Sequence, residues 1–221
     1  MAKSSVLSSS IAKKVAMALS GLFLISFLAL HFAINLTSVF SEETFNTSSH
    51  FMGYNPLIQF VMQPVLVAGV VFHFIMGFVL DFKNRAARPI SYAKNNGAAN
   101  SSWASRNMII SGAVVLAFLG LHFYDFWFPE MVYKYVESNP EEPTRYYEEL
   151  VHKFESPIRT GMYCFSFLLL SLHLWHGFNS SFQSVGFNNK YSKALHKLGY
   201  AFAIIVPFGF IFIALFHHFN H

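Results

Sequence analysis

Residues 165–178 read FSFLLLSLHLWHGF, and the apolar run extends back through Met162 and Tyr163. Such a run is a buried or membrane-spanning helix, yet His173 stands near its centre. An imidazole in hydrocarbon costs several kcal/mol, by rough estimate, unless it finds a partner. Gly177 follows four residues later, one turn along the same helix face. A histidine beside a bare patch of backbone suits a flat macrocycle lying against the helix. The pattern recurs at residues 71–78, VFHFIMGF, where His73 is followed by Gly77.

Outward from this stretch, the composition is that of a membrane protein. Of 221 residues, 54% are hydrophobic and 12% charged, about half the charged share of soluble domains, and Phe alone supplies 27. No Pro/Gly/Ser-rich linker divides the chain, which reads as one integral-membrane domain over residues 1–221. The single cysteine, Cys164, excludes an internal disulfide, a multi-thiolate iron–sulfur centre and the C-x-x-C-H attachment of a c-type haem. The first apolar run is too long, and too poor in small residues at its end, for a removable signal. The net charge of +4 is not a sign of nucleic-acid binding; its placement matters more.

Five helical spans are expected at residues 15–40, 56–80, 107–128, 157–182 and 198–219. Each has roughly 20–26 residues, enough to cross a hydrocarbon core of about 30 Å at 1.5 Å per residue. Pro64 is expected to kink the second span and Pro207 to interrupt the fifth. Residues 41–55 form a polar loop, 81–106 a basic one, and 129–155 an acidic, aromatic one with room for a surface helix at 144–154. Trp103, Trp127, Tyr124 and Tyr200 fall near span boundaries and read as interfacial belt residues.

Charge fixes the expected orientation. With the N-terminus inside, the inner segments carry Lys3, Lys13, Lys14, Lys83, Arg85, Arg88, Lys94, Arg106, Lys190, Lys193 and Lys197. The outer segments carry Lys134, Arg145, Lys153 and Arg159, so the positive-inside rule puts the N-terminus in the cytoplasm and the C-terminus outside. Of the acids, Asp81 alone is inside.

One histidine from each of the first four spans can then be placed by depth. His31 and His122 lie roughly 22–25 Å from the inner boundary, and His73 and His173 roughly 11–14 Å. The odd spans thus supply an outer pair and the even spans an inner pair, separated by about 10 Å in depth. Two bis-histidine haems stacked across a membrane need this arrangement. Both axial positions of each iron would be filled, which leaves electron transfer and no bond chemistry. A lone membrane histidine is more often a packing or proton-relay residue, but four at two matched depths, two with Gly at the fourth position, form a joint pattern. His176 rivals His173, and Gly177 favours His173 by analogy with His73 and Gly77. His50, His152, His196, His217, His218 and His221 lie in loops or span ends and read as ordinary interfacial residues.

Taken in order, GLFLISFLALHFAINL, FNTSSHFM, VFHFIMGFVL, FLGLHFYDFW and SLHLWHGFNSSF cover nearly the whole chain. Together they resemble the two-haem, five-helix cytochrome b anchor of bacterial succinate:quinone oxidoreductases, the family of succinate dehydrogenases and quinol:fumarate reductases. The resemblance implies an all-α membrane protein of five transmembrane helices, four of them bundled around two stacked b-type haems. It implies His31 with His122 as ligands of one haem and His73 with His173 as ligands of the other, the pairing that depth also suggests. The family's fourth-span ligand is followed at the fourth position by glycine, which again selects His173. His176 and the long loop between spans three and four depart from the family pattern.

The resemblance further implies a multi-pass protein of the bacterial cytoplasmic membrane that anchors a flavoprotein subunit and an iron–sulfur subunit on the cytoplasmic side. It would exchange their electrons with quinone and bind no dicarboxylate itself. The chain has no nucleotide motif, no flavin motif and no cluster cysteines, in keeping with that division of labour. The basic inner loops, 81–106 and 184–197, would face the partner subunits. Two haems, where one would serve a quinone on the near side, point to quinone reduced at the outer side. Outward electron movement there is assisted by about 2.3 kcal/mol per charge per 100 mV, which suits a low-potential acceptor such as menaquinone. Glu42, Glu43 and His50 are the proton-handling side chains available to such a site. The rival from another class is a histidine-lined proton-coupled or metal transporter. That class expects carboxylates well inside the spans, whereas Asp81 and Asp125 fall at span ends.

Overall fold

The computed structural model describes residues 9–86, 107–187 and 189–220. Lys3, Arg88, Lys94, Trp103, Arg106 and His221 lie outside the described residues, as does most of the basic loop 81–106. The described residues are helical: α1 (Ser10–Thr37), α2 (Glu42–Tyr54), α3 (Ile58–Ala86), α4 (Met108–Val136), α5 (Arg145–Phe154), α6 (Pro157–Ser184) and α7 (Ser192–Phe219). The hydroxyls of Ser9, Ser41 and Ser156 cap α1, α2 and α6 by accepting from backbone N–H groups three residues on. Gly186, at φ +86°, ends α6: its N–H bonds to the Gln183 carbonyl and that of Phe187 to the Phe182 carbonyl. That reversal needs a left-handed residue, which glycine supplies without strain.

Helices α1, α3, α4 and α7 are each long and apolar enough to cross a membrane. At 28 or 29 residues they exceed a core of about 30 Å, so their ends reach the polar interface. α6 is as long, at 28 residues, but less apolar than these four. Its position explains the difference. It packs against α1, α4, α5 and α7 and buries Thr160, Ser166, Asn179 and Ser181 among apolar neighbours. A helix enclosed by protein need not present a lipid-compatible surface on every side. By contrast, α3 buries no residue, and α4 buries only Asp125.

Side-chain register fixes the helix directions. Glycines 69 and 77 of α3 sit against Phe23 and Met17 of α1, and Glycines 112 and 177 of α4 and α6 sit against His173 and Met108, so both helix pairs are antiparallel. Phe167 with Phe210 and Phe178 with Phe202 likewise align α6 and α7 antiparallel, while His31 with Phe210 and Ser38 with His217 align α1 and α7 in parallel. α1, α3, α4 and α6 touch in that cyclic order, and α7 packs outside on α6 and α1. α1 and α4 therefore face each other diagonally, as do α3 and α6.

Several expectations change. Residues 41–55 are not an open loop: Glu42–Tyr54 form α2, capped by Ser41 and tied to α5 by Asn46, whose Oδ1 accepts from the Tyr147 N–H at 2.8 Å. The third span does not stop at 128 but continues to Val136, so Asp125 lies inside the helix, 1% exposed. Pro64 and Pro129 each follow a π turn, Ile58–Met62 and Phe123–Trp127, which absorbs the missing N–H and the ring's clash with the preceding turn. Pro207 does not interrupt α7, which runs through it; the carbonyl left without a helical donor, that of Ala203, accepts from Ser171. The surface helix expected at 144–154 is present as α5.

Candidate paired-histidine site

The two diagonals of the bundle carry the four histidines. His31 and His122 have ring centroids 5.8 Å apart, and His73 and His173 6.4 Å apart, both pairs near edge-on. The ring facing His73 belongs to His173 and not to His176. Two metal–imidazole bonds of about 2.0–2.1 Å, with roughly 1 Å from each nitrogen to its ring centre, put two axial imidazoles about 6 Å apart. The observed spacings match that figure.

Depth follows from register. His73 lies level with Ser20 and Gly21 of α1, and His173 level with Ser111 and Gly112 of α4. His31 and His122 are each ten residues past those glycines, so the pairs stand roughly 15 Å apart along the bundle. This is more than the 10 Å counted from the ends of apolar runs, because packing and not hydropathy sets how antiparallel helices slide past one another.

The inner rings are held in matched surroundings. Ser20 Oγ donates to the Met17 carbonyl at 2.8 Å and stands 2.9 Å from His73 Nδ1; Ser111 Oγ donates to the Met108 carbonyl at 3.0 Å and stands 3.4 Å from His173 Nδ1. A Cβ at Gly21 would stand 3.3 Å from His73 Cε1, and one at Gly112 would stand 3.5 Å from His173 Cε1. Gly77 and Gly177 receive the methyls of Met17 and Met108, which a Cβ would meet at 3.6 and 3.1 Å. The outer rings differ. His122 Nδ1 is buried without a hydrogen-bond partner, and His31 Nδ1 reaches only Asn35 Nδ2, at 3.5 Å.

The sequence carries a signal for these surroundings. Met17, Ser20, Gly21 and His31 recur at identical offsets as Met108, Ser111, Gly112 and His122, a repeat of M-x2-S-G-x9-H. Each copy is completed by H-x3-G on the following even span. Serines and glycines in an apolar helix look like packing residues until the partner helix is known.

Among the described residues, no group of three or more His, Cys, Asp or Glu side chains comes together. Each site therefore offers two ligands. A bare ion would be under-coordinated, whereas a porphyrin brings four nitrogens and needs only the two axial rings. The ring spacing of both couples and the small residues beside the inner one fit a haem.

The side chains expected near an outer quinone are dispersed. Glu42 and Glu43 are exposed in the first turn of α2, where carboxylates favour the helix N-terminus. His50 stacks on Tyr54 with centroids 4.6 Å apart, and its Nε2 lies 3.5 Å from Glu141. Beside it, Glu130 is bound by Lys134 at 2.5 Å and by Arg145, joining α2, α4 and α5. Burial opposes the charge on Arg145, but its bonds to Glu130 and Glu149 prevail and raise its pKa, so it stays protonated. A second polar group lies one turn from His122: buried Asp125 accepts from Arg159 and, at 2.9 Å, from Tyr163. Compared with protein-family models, curated proteins and solved structures, the chain finds no match.

Proposed function

We propose that the chain is the membrane-anchor cytochrome b subunit of a bacterial succinate dehydrogenase, the respiratory complex II of the tricarboxylic acid cycle. In this proposal α6 is a fifth span and the N-terminus is cytoplasmic, which matches the concentration of basic residues at that end. A flavoprotein and an iron–sulfur subunit dock on the cytoplasmic side, and quinone, with menaquinone favoured, is the membrane acceptor. The observation that carries the proposal is the pair of histidine couples at two depths, each spaced for two axial ligands and backed by the same repeated motif.

His73 and His173 would hold the inner haem b, and His31 and His122 the outer one. A haem at each couple supplies reversible one-electron transfer, with no open axial position for oxygen or substrate. The protein's part is to hold the paired imidazoles across the bundle, to seat the Met17 and Met108 methyls on Gly77 and Gly177 one turn from the inner couple, and to exclude water with phenylalanines such as Phe118 and Phe210 around the outer one. Reduced-minus-oxidised spectra of the full chain purified from its membrane test this. Two haem b per chain, with succinate-oxidising subunits co-purifying, are expected; a chain without b-type haem would overturn it.

A further inference from the structure

We propose that Ser20 and Ser111 are positioning residues that fix the tautomer of His73 and His173 and raise the basicity of both rings. This rests on the reading of that couple as the inner haem's ligands. A serine has one proton to donate. Ser20 gives it to the Met17 carbonyl and Ser111 gives it to the Met108 carbonyl, each three residues back on its own helix. With Nε2 committed to a metal, a neutral ring carries its proton on Nδ1, so each contact is Nδ1–H donating to Oγ, whose own proton serves the helix carbonyl. With the proton on Nδ1, the lone pair is on Nε2, where a metal would take it.

The adjacent glycine is the second half of the device. At Gly21 an added Cβ would crowd the His73 edge at 3.3 Å, while at Gly112 it would touch His173 at an ordinary 3.5 Å, so a small residue lets each imidazole lie close to the hydroxyl of the preceding residue. The Ser-Gly dipeptide thus supplies both the acceptor and the room, from α1 for one ligand and from α4 for the other. The outer couple has no such hydroxyl, since His122 Nδ1 has no partner and His31 Nδ1 has only the distant Asn35 amide. The two sites are therefore built differently although the ligands are the same.

A hydrogen bond from Nδ1–H makes an axial imidazole a stronger donor and favours the ferric state. Ser20→Ala and Ser111→Ala should each raise the inner haem's midpoint potential and move its low-spin ferric electron-paramagnetic-resonance signal, identified as the signal lost in His73→Ala. The outer haem should not change. Ser20→Ala should have the larger effect, because its contact is 2.9 Å against 3.4 Å. A shift of up to about tenfold in the ferric-to-ferrous ratio at fixed potential, 59 mV for one electron, is expected.

Ser20→Thr keeps the hydroxyl and should restore the wild-type signal. Two haems with wild-type signals and potentials in both alanine variants would overturn the proposal. If Ser20→Ala lost the inner haem alone, recovery in Ser20→Thr would support it, and loss there too would overturn it as a packing effect. Absence of haem from the wild-type chain would overturn the functional reading first, and this inference with it, before any serine was changed.

Discussion

Ser171 Oγ donates a 2.7 Å hydrogen bond to the carbonyl of Ala203, the group that Pro207 leaves without its own helical donor. α6 thereby repairs α7 from outside, and the proline is tolerated without a break. Ala203 is fully buried, so no water or lipid headgroup can serve instead.

Ser171→Ala should therefore cost about 1–3 kcal/mol, the penalty of an unpaired buried acceptor. In a Pro207→Ala background the N–H of residue 207 returns, and the same serine change should cost much less. Thermal denaturation of the four proteins in one detergent gives the cycle. Additive losses would show that the Ala203 carbonyl does not depend on Ser171.

Phe32 lies across Gly209, where an added Cβ would stand 2.4 Å from both Cε2 and Cζ of the ring. The backbone of α7 approaches α1 this closely only because no side chain intervenes. Gly209→Ala should destabilise the protein by about 1–3 kcal/mol, as overpacked cores do. Phe32→Leu in the same chain should recover part of the loss. Melting temperature is the readout, and an unchanged value in Gly209→Ala would contradict the contact.

Asp125 and Arg159 form an unequal pair: the carboxylate side chain is 0% exposed and the guanidinium 30%. Arg159→Gln leaves a buried charge with only Tyr163 as donor, a loss on the order of 3–5 kcal/mol. Asp125→Asn leaves a half-solvated cation and should cost less. Detergent-solubilised yield and melting temperature should rank wild type above Asp125→Asn, and that above Arg159→Gln. The reverse order would mean that Arg159 is not the partner that compensates the Asp125 carboxylate.

Replacement of His73 or His173 by Ala should remove the inner haem, and replacement of His31 or His122 the outer one. His176→Ala should retain both, because it is His173 that faces His73. Haem extraction and optical spectra of each variant decide it. Loss of a haem in His176→Ala with both retained in His173→Ala would exchange the two assignments.

The long helices, apart from the far end of α4, were legible from residue order, as were the four histidines whose rings the fold brings together in pairs. Other features were not. α2 is polar, with FNTSSHFM at its centre, and its helix depends on the Ser41 cap and on burial of Phe45 and Asn46 against α5. Asp125 looked like a span-end acid because its partners, Arg159 and Tyr163, are more than thirty residues away.

By itself the sequence determined whatever depends on period and apolarity: the helical class, five apolar runs of which four form helices long and apolar enough to cross a membrane, and a histidine at corresponding places in successive runs. These are local properties, set by 3.6-residue geometry and transfer from water. Only the tertiary structure decided which imidazole faces which, how far apart the couples stand, where the less apolar α6 buries its polar residues, and which hydroxyl repairs Pro207. Each of those depends on how one helix slides and turns against another. That register is set by side-chain packing between residues far apart in the chain, such as Met17 against Gly77 and Phe32 against Gly209.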